Sequence, residues 1–214
     1  MAYRTLQDLR TTLIRRLGFG AAGASAGVIS ANVDNFLLSA HIAVYEAHDW
    51  KRLKSYEDKS LGANQFLIDY PTNANPERIK EIWVIINGVY QKVHAGISPQ
   101  DYTFQNNKSW PVRYELYDQI ELYPKSDAVY TVRIWYIKAM TRFTENADRC
   151  QIDDNLVFLH ALYNAKLHYK QADGTIYQLQ YETQLSKLKA NSWTKTVYNP
   201  IPDDDFLEAK PKVI

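Results

Sequence analysis

Asp34, His41 and His48 recur at steps of seven, and His160, Asn164 and His168 at steps of four. Imidazole and carboxylate are the usual ligands of transition metals and the usual proton carriers of hydrolysis. Both series can therefore be read as metal ladders on helices. Seven-residue steps share one helix edge, with a drift of about 20° per step. They also lie about 10.5 Å apart along the axis, too far for one ion to hold two of them. No Glu-x-x-His or His-x-x-x-His pair completes either series, and such pairs are what helical metal sites use. The spacing favours a polar seam on an otherwise apolar helix, satisfied by hydrogen bonds or facing a neighbour. A metal- or ligand-dependent enzyme using His41/His48 or His160/His168 stands as the alternative.

The run "RRLGFGAAGASAGVIS", Arg15 to Ser30, holds G-x-G-x-x-G at Gly18, Gly20 and Gly23. A dinucleotide loop of that pattern needs a buried strand before it and a helix opening inside it. Here the preceding segment is charged and helical, so it cannot be the central strand of a parallel sheet. Glu46 lies at about the right distance for a ribose-binding acid, but within a helical pattern. Residues 18–27 read instead as a flexible hinge between helices, binding no cofactor. The same run fails as a signal peptide, because it lacks a Leu-rich apolar stretch and Asp8 sits where the start should be basic. It is too short and too weakly apolar to span a membrane.

No G-x-S-x-G or other nucleophile signature frames any serine. Cys150, the single cysteine, sits in "NADRCQIDD" among acids that raise a thiol pKa, and alone it forms no intrachain disulfide. The chain has 214 residues, 46% apolar, with 25 basic and 24 acidic side chains for a net charge of +1. That is enough apolar material for a core, and it lacks the basic surplus of a protein built to neutralise phosphates. Sixteen tyrosines and five tryptophans favour half-buried surfaces and interfaces. The sequence therefore predicts no catalytic residues, no metal and no cofactor. A monomeric β-domain binding module is a further alternative.

The elements that position these residues follow from periodicity. Leu6, Leu9, Leu13, Ile14 and Leu17 predict an amphipathic helix, capped by Thr5 with Asp8. Asn32 to Lys51 predicts a long helix, apolar on two sides: Val33, Phe36, Leu37, Ala40, Val44 and Ala47 on one, Leu38, Ile42 and Tyr45 on the other. Residues 52–140 turn to period two. "EIWVIINGVYQKV" predicts a hairpin turning at Asn87-Gly88, "RYELYDQIELYP" a second near Asp118, and "AVYTVRIWYIKA" a strand with one face buried. Residues 153–171 predict a buried helix capped by Asp153-Asp154. Asp173-Gly174 breaks it, and a helix with a Tyr177, Tyr181, Leu185, Leu188 stripe follows. The expected fold is α+β: a four-helix core with a small antiparallel β domain of five or six strands inserted into it. Helices of residues 1–51 and 141–191 make the core, 52–140 the insert, and 192–214 an extended tail. That tail carries Trp193, Tyr198, Phe206 and Leu207 as anchors for a partner surface.

In order, "LLSAHIAVYEAHDWKRLK", "INGVY", "PVRYELYDQIELYP", "YTVRIWYIKAMTRFTENADRCQID" and "LVFLHALYNAKLHYKQADGTIYQLQYETQLSKLK" resemble the head-to-tail adaptor, or connector, proteins of tailed bacteriophages. The resemblance covers roughly residues 30–190. It implies a non-enzymatic ring subunit, usually one of twelve copies, at the capsid–tail junction of the virion. Its partners would be the portal protein and tail or nozzle proteins, with DNA passing through its channel and no membrane involved. It further implies assembly in the bacterial cytoplasm and a C-terminal segment that reaches toward the portal. Trp193, Tyr198, Phe206 and Leu207 are the interface residues this suggests, with Phe36 and Tyr45 on the helical faces.

Overall fold

The computed structural model describes residues 3–19, 27–103 and 107–193. Helix α1 (Leu6–Arg16) starts from a full capping box: the Asp8 amide donates to Thr5 Oγ1 at 3.2 Å and the Thr5 amide to the Asp8 carboxylate at 3.1 Å. Helix α2 (Gly27–Glu46) begins five residues before the predicted Asn32 and stops short of Lys51. It stops because its last carbonyls are taken. The Trp50 indole donates to the Val44 carbonyl at 2.8 Å, and Arg78 donates to those of Tyr45 and Glu46 at 3.1 and 3.0 Å. Helix α3 (Asp154–His168) has Asp153 as its N-cap, accepting from the Leu156 amide at 2.8 Å. Helix α4 (Gly174–Trp193) lays its Tyr177, Tyr181, Leu185 and Leu188 stripe on the helical core.

Seven strands follow in chain order: β1 (Lys54–Leu61), β2 (Leu67–Ile68), β3 (Ala74–Ile86), β4 (Val89–Ala95), β5 (Arg113–Leu116), β6 (Ile120–Tyr123) and β7 (Tyr130–Lys138). They form one sheet in the order β1-β7-β3-β4-β5-β6-β2, and its two ends, β1 and β2, touch. The Asn87-Gly88 turn joins β3 to β4 with Ile86 opposite Val89 and both turn residues at positive φ, 51° and 80°, as a type I′ turn requires. The hairpin at Asp118 is also present, pairing Leu116 with Ile120.

This sheet overturns the expected four-helix core with a small antiparallel β insert. The β part is a nearly closed, barrel-like domain with its own core, and it forms the main body of the fold. Its strands carry enough inward apolar residues to bury one another without a helix: Ile82 and Val84 on β3, Val93 on β4, Ile120 and Leu122 on β6, Val132 and Ile134 on β7. Nor is it purely antiparallel, because β4 pairs parallel with β5 after the long connection 96–112. The four helices pack around a second core, in which α3 lies between α2 and α4 and buries Leu156, Val157, Ala161 and Leu162. Of the tail expected at 192–214, Ser192 and Trp193 belong to helix α4, and 194–214 lie outside the described residues.

The burial pattern separates two substitutions of similar size. Leu162→Ala on α3, 1% exposed, should cost about 2–5 kcal/mol of unfolding free energy in urea titration. Ile176→Ala on α4, 58% exposed, should stay within about 0.5 kcal/mol.

Candidate contact surfaces

The histidines of both series, His41, His48, His160 and His168, make ring contacts within the fold. His41 is fully buried, neither ring nitrogen has a hydrogen-bond partner, and its ring stacks on Phe143 at 4.5 Å and 19°. Burial alone pushes its pKa down to about 4. Asp34, one step earlier, is bound by Arg10 at 2.6 Å. One step later, His48 Nε2 meets Ser192 Oγ at 2.6 Å, and its ring stands edge-on to Trp50. His160 sits among Tyr163, Asn164 and Tyr181, and His168 lies edge-on to Phe36 at 5.4 Å. Among the described residues no group of three or more His, Cys, Asp or Glu side chains is gathered as a metal site requires. Gly18, at φ 80°, follows the last turn of helix α1, not a strand. Residues 20–26 of the Gly-rich run lie outside the described residues.

Of the interface residues expected from sequence, Phe36 is half-buried beside His168 and Tyr169. Tyr45 is 6% exposed and works inside the molecule. Its hydroxyl donates to the Lys138 carbonyl at 3.0 Å and accepts from Asn75 Nδ2 at 3.1 Å, and the Arg78 guanidinium covers its ring at 4.7 Å. Trp193 ends α4, and nothing is described of its side chain. Tyr198, Phe206 and Leu207 lie outside the described residues.

The sequence reading missed a surface on the outer face of β1, β7, β3 and β4. Strand register sets Tyr56 opposite Trp135 and Trp83 opposite Arg133, while Tyr90 comes from β4. The Tyr56 and Trp135 rings lie 4.8 Å apart. Asp58 holds the Arg133 guanidinium by two bonds of 2.7 Å, which also holds the carboxyl below the usual carboxylate range. So fixed, the guanidinium lies 4.2 Å from the Tyr56 ring centre and 5.0 Å from that of Tyr90. Lys54 covers Trp135 at 5.0 Å. Trp83, Tyr90, Arg133 and Trp135 line a shallow, open hollow of about 160 Å³. Tyr56 and Tyr90 are nearly half exposed. Rigid aromatics around a fixed guanidinium are the composition of binding hot spots. One signal for it was legible: Arg133 and Trp135 occupy the solvent side of an alternating strand.

The described chain is thus a barrel-like domain with an aromatic cluster on its outer face, packed beside a layer of four helices. A family model for the SU10 adaptor protein matches residues 4–201. The chain belongs to that family, which comprises phage head-to-tail adaptors. No curated protein matches it. No described helix is long and apolar enough to cross a membrane.

Two buried groups yield checks. His41 stays neutral in the fold while the unfolded chain takes up its proton near pH 6.5. Stability is therefore intact above pH 6.5 and is lost as the pH falls toward 4, by an amount on the order of 3 kcal/mol for a shift from 6.5 to about 4. His48 and His160, also lowered by burial, add in the same direction. Urea titrations across that range should show a flatter acid limb for His41→Leu. The second group is the Cys150 thiol, pushed up to about 12 by burial and then by Asp154. A thiol reagent at pH 8 should leave it untouched in the native protein and label it fully in denaturant.

Proposed function

We propose that this chain is a non-enzymatic subunit of a ring that joins the portal vertex of a phage capsid to the tail and prolongs the DNA channel. Twelve copies is the number the resemblance implies. The observation that carries this reading is the family match over residues 4–201. The near-neutral net charge supports it, since a channel lining should pass DNA without gripping it. In this reading the protein resides in the virion at the capsid–tail junction and is assembled in the bacterial cytoplasm. Residues 52–140 act as one unit, and the helices of 1–51 and 141–191 as another. The outer sheet face around Tyr56, Arg133 and Trp135 meets the adjoining copy in the ring. The segment 192–214, with Trp193, Tyr198, Phe206 and Leu207, docks on the portal. Phe36 and the α2 end near Tyr45 are the next docking surface in line.

Sedimentation of the chain alone and with portal protein tests this. The wild type should form rings, alone or on the portal. Tyr56→Ala and Trp135→Ala should each weaken ring formation by about 1–3 kcal/mol with an unchanged melting temperature. Rings of unchanged strength in both variants would remove the sheet face from the interface. Absence of any ring, with or without portal, would remove the reading.

A further inference from the structure

A second surface lies where the described chain ends. Between the last turn of α4, the turn after Trp50 and the N-terminal Tyr3 runs a groove of about 550 Å³. Its floor is apolar: Trp50, Ile152 and Leu188. Its rim is cationic. Lys51 and Arg52 are exposed, and Arg52 lies 4.2 Å above the Tyr3 ring. Among the described residues neither Lys51 nor Arg52 forms an ion pair. Lys189, next to Leu188 on α4 but outside the lining, acts on His48. The one carboxylate in the lining, Asp153, is occupied in capping α3. Ser192, also in the lining, is bonded to His48, so the C-terminal segment departs from the groove's own rim.

That segment has the opposite chemistry. "IPDDDFLE", residues 201–208, places Asp203, Asp204, Asp205 and Glu208 around Phe206 and Leu207, with no basic residue. Seven residues, 194–200, separate the end of α4 from that segment. That is ample to turn back on a groove at its own origin, and its closure costs little more than that of a shorter loop. We propose that, in the subunit not yet docked on the portal, the groove bounded by Tyr3, Lys51, Arg52 and Leu188 is the seat of the chain's own acidic segment 201–208. The aspartates lie against the Lys51–Arg52 rim, and Phe206 and Leu207 lie on the apolar floor. Tethering holds the segment at millimolar effective concentration, so a weak contact suffices to occupy the groove.

Disulfide trapping in the full chain tests this, and the buried Cys150 thiol keeps the background silent. Lys51→Cys with Asp204→Cys is oxidised by diamide and compared with Asp127→Cys with Asp204→Cys. Asp127 accepts from the Tyr130 hydroxyl, and Tyr130 pairs with Leu61 at the far end of β1, about 23 Å from Lys54 by strand rise. The groove pair should close within one chain roughly tenfold faster than the control. Its rate should be independent of protein concentration, slower in 0.5 M salt and slower again with Arg52→Glu. Asp203→Arg with Asp205→Arg should restore the Arg52→Glu rate. Arg52→Cys with Asp205→Cys repeats the measurement should the first pair fold poorly. Equal rates for groove and control pairs would overturn the proposal. Links mainly between chains, rising with concentration, would overturn it in favour of a neighbouring copy's segment. Neither ring nor portal is needed, so failure here leaves the adaptor reading untouched.

Discussion

The clamp between Arg78 and Tyr45 is the contact on which the rest of the architecture depends. The chain builds two separate hydrophobic cores, one among helices and one inside the sheet, and apolar burial alone does not orient one against the other. Arg78 reaches from the irregular start of β3 to the end of α2. It covers the Tyr45 ring and donates to the carbonyls of Tyr45 and Glu46. A cation at a helix C-terminus is favoured by both the free carbonyls and the helix dipole. The Tyr45 hydroxyl completes the joint by bonding Lys138 at the end of β7 and Asn75 on β3. One tyrosine thus ties α2 to two neighbouring strands.

With that joint set, the outer face of the sheet keeps its aromatic and charged side chains uncovered among the described residues. The sheet buries Val132, Ile134 and Tyr136 inward, which leaves Arg133 and Trp135 outward by the two-residue period of a strand. A guanidinium held by Asp58 and flanked by rings has little freedom left to lose on binding. This suits an adaptor, whose work is to hold partners at fixed geometry. The groove at the end of α4 is a different kind of surface, cationic at its rim and apolar at its floor.

The candidate site was legible only in part. The spacing of His41 and His48 was plain, yet their roles were not. A ring on an apolar helix edge can be a ligand or a packing element, and only its neighbours decide. Phe143 against His41 and Ser192 against His48 come from distant parts of the chain. The sheet-face cluster draws on four strands, and no local window of sequence contains it. Its one local sign, Trp135 on the polar side of an alternating strand, was present but had no partner to give it meaning.

What the sequence determined by itself is what short range decides. Thr5 with Asp8, Asp153 before α3 and Asn87-Gly88 between β3 and β4 each satisfy or shape backbone within a few residues. Their outcome is independent of the rest of the fold. The alternation of β7 was likewise readable, because burial follows its period. The tertiary structure decided how the strands close. Whether β4 meets β5 in parallel, and whether β1 comes round to β2, depends on pairings between residues far apart in the chain, whose order no local propensity encodes. It also decided where α2 ends, since the groups that stop it are Trp50, folded back, and Arg78, thirty residues on from His48. The β block became a barrel-like body with its own core because seven strands together could bury what no single hairpin could.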